Sequence, residues 1–66
     1  MKLLINGENK EFANGLSLEE IIRQLGVRKE TVVAEVNRQI IQTDKRAALK
    51  LSDGDQVELI QFVGGG

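Results

Sequence analysis

Ser17-Leu18-Glu19-Glu20-Ile21-Ile22-Arg23-Gln24-Leu25-Gly26 is the stretch on which the fold turns, because it encodes a helix together with both of its ends. Ser17 followed three residues later by Glu20 is a capping box. The hydroxyl can accept the Glu20 amide, and the Glu20 side chain can reach back to the Ser17 amide. Leu18, Ile21, Ile22 and Leu25 recur at i, i+3, i+4 and i+7, which makes one apolar stripe. Glu19, Arg23 and Gln24 take the other side, and Gly26 is a natural stop. A helix with a single stripe has to lie across something apolar on one side only.

What flanks it reads as strands. Met1 to Ile5 is a short apolar run. Asn6-Gly7 follows as a hairpin turn, since both residues tolerate positive φ, and Lys10-Glu11-Phe12 reads as the returning strand. Asn14-Gly15 is a second turn, just before the helix. Beyond the helix, Thr31 to Val36 is rich in β-branched residues and reads as a strand. Asn37-Arg38 is its turn and Gln39-Ile40-Ile41 its return. Arg38 sits awkwardly there, because a two-residue turn of the favoured hand prefers glycine at that position. Thr43 to Leu49 suggests one or two helical turns capped by Thr43. Ser52-Asp53-Gly54-Asp55 is a tight turn, and Gln56 to Val63 is the last strand.

This order predicts an α+β domain with a mixed sheet of four to five strands and one main helix on one face. Hairpins are antiparallel and sequential strands tend to neighbour each other. The economical topology therefore puts the first and last strands side by side in the middle, linked through the helix, which is the β-grasp arrangement. Residues 1–63 would form the domain and 64–66 a flexible glycine tail. Met1, Leu3 and Ile5 would face the helix with Val57 and Leu59. By alternation, Leu4, Ile60 and Phe62 would point to the opposite face, where a solvated sheet is ordinarily polar. These three form a candidate docking patch at the root of the tail.

Composition narrows the function. A 66-residue chain is one small domain near the lower limit for independent folding. It has no cysteine and no histidine, which argues against nucleophilic triads, zinc chemistry and disulfides. We expect no catalytic residue and no metal site. Nine basic and ten acidic residues are mixed along the chain, and Phe12 and Phe62 are its only aromatics, so neither a basic face nor a base-stacking set points to nucleic acid. No apolar run approaches a membrane span, and no charged n-region followed by an apolar h-region reads as a signal peptide. The pattern suits a cytoplasmic protein that is monomeric when free.

The remaining feature is Gly64-Gly65-Gly66, which follows directly on the last strand. Glycine loses more entropy on ordering than any other residue, so three in a row do not help a fold. They make an arm thin enough for a channel that admits no side chain, with the Gly66 carboxylate as its reactive group. Extended, Phe62 to Gly66 would reach about 17 Å. Asp53, Asp55 and Glu58 could meet basic groups on a partner, or could simply be a solvated turn and strand edge.

Taken together, Asn6-Gly7 after a first strand, the capped Ser17–Leu25 helix, Val36-Asn37, Asp53-Gly54-Asp55 before the last strand and the ending Phe62-Val63-Gly64-Gly65-Gly66 give a chain that resembles the ThiS family. These are the ubiquitin-like β-grasp sulfur carriers of thiamine biosynthesis, and the resemblance covers the whole length. Two departures fall in loops: Arg38 rather than glycine after Asn37, and Gln42-Thr43-Asp44 where the family commonly has a proline.

The resemblance implies a carrier cycle. An E1-like, ThiF-type enzyme adenylates the Gly66 carboxylate with ATP. A sulfur donor, such as a cysteine desulfurase relay, then displaces AMP to leave a thiocarboxylate. A ThiG-type thiazole synthase receives the sulfur. Gly64 and Gly65 would thread the partner's channel, and Leu4, Ile60 and Phe62 would dock the domain. The chain would bind no cofactor of its own, ATP being used by the partner. Two relatives of this chemistry stay open: a carrier for molybdopterin synthase, and a ubiquitin-like modifier joined through Gly66 to a target lysine.

Overall fold

A computed structural model describes residues 1–62. The elements are β1 (Lys2–Ile5), β2 (Glu8–Glu11), α1 (Leu18–Gln24), β3 (Val32–Val36), β4 (Gln39–Ile41), a 3-10 turn (Thr43–Lys45) and β5 (Gln56–Gln61). The five strands form one mixed sheet in the order β2-β1-β5-β3-β4. β1 and β5 are parallel neighbours, and the other pairings are antiparallel. The first and last strands thus lie side by side, as the element order requires.

Local chemistry accounts for each boundary. Asn6 (φ 49°) and Gly7 (φ 84°) both adopt the left-handed conformation, which makes a two-residue turn of the hand that matches strand twist. Such a turn pairs Ile5 directly with Glu8. The returning strand therefore begins two residues earlier than Lys10 and ends at Glu11, although the Phe12 amide still donates to the Met1 carbonyl. Both halves of the capping box form: the Glu20 amide donates to Ser17 Oγ at 3.2 Å and the Ser17 amide to Glu20 Oε1 at 2.8 Å. At the other end Gly26 (φ 73°) closes the helix. Its amide reaches the Arg23 carbonyl and that of Val27 the Ile22 carbonyl, satisfying groups the helix would leave orphaned.

Between β4 and β5 the expected helical turns shrink to one 3-10 turn. Thr43 does not cap it. Gln42 occupies the cap position with no side-chain hydrogen bond, and Thr43 is instead the first residue of the turn itself. What holds this segment is Arg46. Its side chain is buried, and its guanidinium donates to the carbonyls of Lys29 (3.2 Å) and Val32 (2.7 Å). The segment in turn supplies acceptors to the start of α1: Leu18 N–H donates to the Leu49 carbonyl and Glu19 N–H to that of Arg46.

The core lies between α1 and one face of the sheet. Leu18, Ile21 and Ile22 of the helix meet Leu3, Ile5, Val32, Ala34, Val36 and Val57 of the strands, with Leu51 closing one side. Met1, Leu25 and Leu59 pack partly buried at its margin. The alternation expected of β1 and β5 is the one observed.

Candidate functional site at the end of the central strand

β5 lies in the middle of the sheet and leads into the glycine tail. Gly64, Gly65 and Gly66, together with Val63, lie outside the described residues. The strand's alternation sends Val57 and Leu59 to the core, and Gln56, Glu58 and Ile60 to the open face, followed by Phe62. Ile60 is 48% exposed and Phe62 64%, unusual for large apolar side chains on a sheet. Phe62 remains tied to the sheet, its amide donating to the Thr31 carbonyl at 3.0 Å.

Register decides which residues share this patch. Ile60 lies opposite Val33 of β3, half-buried on the same face. Leu4, by contrast, lies opposite Gln56, four residues back along β5. At about 3.3 Å per residue that places it roughly 13 Å from the Ile60 position. The structure therefore brings together Ile60, Phe62 and Val33, and separates Leu4 from them. Further out on the same face stands Ile40, 67% exposed, on the outermost strand opposite Glu35. Sequence reasoning missed Val33 and Ile40. The alternation of Thr31 to Val36 does turn Val33 outward, but only the β3–β5 register puts it beside Ile60.

Of the three acidic residues noted near β5, two serve the fold. Asp53 Oδ1 accepts the Lys2 amide at 2.6 Å. Asp55 accepts the Ser52 amide and the Asn37 side-chain amide. Glu58 is different: it stands directly opposite Glu35 on the open face, and neither has an ion-pair partner among the described residues. Like charges placed so repel, and they border the apolar patch with negative charge.

Two asparagines in the left-handed conformation brace β5 from opposite sides. Asn37 (φ 50°) accepts the Gln56 amide through Oδ1 at 3.0 Å. Asn6 accepts the Leu59 amide through Oδ1 at 2.8 Å and donates from Nδ2 to the Leu59 carbonyl at 3.3 Å. On the helix side, next to Asn6, an open cleft of about 400 Å³ is floored by Ile5, Leu25, Val27 and Leu59. Among the described residues no group of three or more acidic residues could hold a metal ion. The Glu20 carboxyl is held below its ordinary value, chiefly by the Ser17 amide and then by the Ser17 hydroxyl. That shift belongs to the helix cap. No described helix is long and apolar enough to cross a membrane.

A five-stranded mixed sheet with its last strand in the middle and one helix across a single face defines a ubiquitin-like β-grasp protein. The model of the ThiS family matches residues 3–66. The chain belongs to the ThiS family. It is 33% identical to, and superposes with a TM-score of 0.87 on, the crystal structure of the thiamine biosynthesis protein ThiS from Geobacter metallireducens, with full coverage of both chains. It is also 32% identical over 66 residues to the sulfur carrier protein ThiS of Escherichia coli, again covering all of both. A thiazole synthase of Paramagnetospirillum magneticum is 38% identical over the same 66 residues, and here the chain spans only 20% of the relative's length. The same share holds for a thiazole synthase of Magnetococcus marinus, 35% identical.

Proposed function

We propose that this chain is a sulfur carrier for thiazole formation in thiamine biosynthesis, with Gly66 as the residue that bears the sulfur. The observation that carries this reading is where the tail attaches: in a ThiS-family β-grasp domain, the central strand ends beside exposed Ile60 and Phe62, and Gly64-Gly65-Gly66 follow a residue later in the sequence. A carboxylate is a poor electrophile, so it must be activated. An oxygen of the Gly66 carboxylate attacks the α-phosphorus of ATP on a ThiF-type adenylating enzyme, and pyrophosphate leaves. Sulfide from the donor then adds to the acyl carbon and AMP leaves, giving the thiocarboxylate. On a ThiG-type thiazole synthase the sulfur passes to the acceptor, an oxygen from the acceptor or from water takes its place on the acyl carbon, and the carboxylate is regenerated.

The chain's own part is presentation. Gly65 and Gly66 carry no Cβ, so the arm lies flat in a narrow channel with its backbone groups free to pair with the walls. Ile60, Phe62 and Val33 give the partner an apolar area to seat on, so docking does not depend on ordering the arm alone. Relatives in which this domain makes up one-fifth of a thiazole synthase support the synthase as the receiving partner.

Intact mass tests the reading. The protein is incubated with ATP, magnesium, inorganic sulfide and the ThiF-type enzyme of the same organism. The expected result is a gain equal to replacing one oxygen by sulfur, absent when Gly66 is deleted although the thermal midpoint is unchanged. No gain with the wild-type chain overturns the proposal, and higher-mass conjugates in its place identify a protein modifier.

A further inference from the structure

The side chain of Asn6 completes a ladder that the backbone abandons. β1 and β5 run parallel, with Leu4 opposite Gln56 and Ile5 opposite Val57. In this register the Leu4 amide donates to the Asp55 carbonyl and the Asn6 amide to that of Val57. Were β1 to continue, the next bonds would run from the Leu59 amide to the Asn6 main-chain carbonyl, and from the amide two residues further on to the Leu59 carbonyl. Neither can form, because the chain turns away at Asn6-Gly7 in the left-handed conformation. The Asn6 side chain supplies both instead. Oδ1 takes the Leu59 amide at 2.8 Å, and Nδ2 reaches the Leu59 carbonyl at 3.3 Å. Beyond this point β5 is held on its other side by β3, where Val32 opposes Gln61 and the Phe62 amide bonds the Thr31 carbonyl.

We infer that Asn6 is a positioning residue for the carrier reaction: it ties β5 at Leu59 on the side that β1 has left, and so keeps Ile60 and Phe62 on their face of the sheet. The inference rests on the sulfur-carrier reading above. Strand ends open at little cost. A strand end that frays would carry Ile60 and Phe62 off their face just where a partner must seat them. The amide achieves what a longer β1 would, while leaving Gly7 free to turn. An apolar or β-branched residue at position 6 would supply neither bond and would resist the positive φ.

The test uses Asn6→Gly, which keeps the two-residue turn and removes only the amide, and Asn6→Asp, which keeps the acceptor for the Leu59 amide and loses the donor. Hydrogen exchange should quicken about tenfold at the Leu59 amide in N6G, with the Ile22 and Ala34 amides unchanged. In sulfide loading by the adenylating enzyme, the KM for N6G should rise about fivefold to tenfold while kcat stays within about twofold, since only the competent fraction of the carrier has changed. N6D should fall between N6G and wild type. Equal KM for N6G and wild type overturns the inference and leaves the carrier reading standing. So does faster exchange throughout the core of both variants, which would make Asn6 part of global stability. Wild-type protein that takes up no sulfur overturns the carrier reading, and this inference with it.

Discussion

Replacing Arg38 by glycine should make this protein more stable. Asn37 (φ 50°) and Arg38 (φ 70°) form the two-residue turn between β3 and β4, whose strands pair from Val36 and Gln39 outward. A residue with a Cβ held in the left-handed region is strained by about 1–2 kcal/mol. Glycine removes that strain, but its freer unfolded chain gives back about 0.5–1 kcal/mol. The Arg38 side chain makes no hydrogen bond or ion pair among the described residues, so nothing else is lost. The net gain is about 0.5–1 kcal/mol, or roughly 3–6 °C in midpoint for a domain of this size. Far-UV circular dichroism during thermal and urea unfolding measures it. Arg38→Ala is the control that removes the guanidinium and keeps the Cβ, and it should stay within about 0.5 kcal/mol of wild type. R38G no more stable than R38A would refute the reasoning, since the backbone strain would then be absent or already relieved.

Other outcomes follow from the same geometry. Ser17→Ala, which breaks the capping box, should lower stability by about 1 kcal/mol in urea unfolding. Because the Glu20 carboxyl is held below its ordinary value of 4.5, its contribution is fully present above that value and is lost as the pH falls through the depressed one. Glu20→Gln should therefore show a shallower loss of midpoint on acidification than wild type. Arg46→Ala should cost about 2–3 kcal/mol or more, because it strips the Val32 carbonyl of a charge-assisted partner at 2.7 Å, and a urea midpoint equal to wild type would count against that role. Ile60→Thr, which keeps the β-branch and adds no charge, and Phe62→Ala should each cost no more than about 1 kcal/mol in unfolding, yet raise the carrier concentration needed for half-maximal sulfur loading.

Much of the fold was legible because it is written in local patterns. The Ser17–Gly26 stretch carries its own cap, stripe and stop. Asn6-Gly7 and Ser52–Asp55 mark turns by residue type, and alternation assigns Leu3, Ile5 and Val57 to the core. The ThiS-family resemblance rested on these together with the glycine tail. What escaped depends on partners distant in sequence. No local pattern tells that Leu4 stands beside Gln56 while Ile60 stands beside Val33. Arg46 looks like a surface cation until the carbonyls of Lys29 and Val32 converge on it. Asn6 and Asn37 were legible as turn formers, but their second role, bracing β5 with their side chains, appears only once the three strands are assembled.

The middle place of β5 bears on quality control. Without it, the β1–β2 hairpin and the β3–β4 hairpin share no edge, since each joins the sheet only through β5. During synthesis the two hairpins can form early, but they become one sheet only after residues 56–61 have been made and inserted between them. The segment that displays the tail is thus also the keystone of the domain. A partner that recognises Ile60 and Phe62 in their sheet setting reads, in the same contact, that the molecule has finished folding.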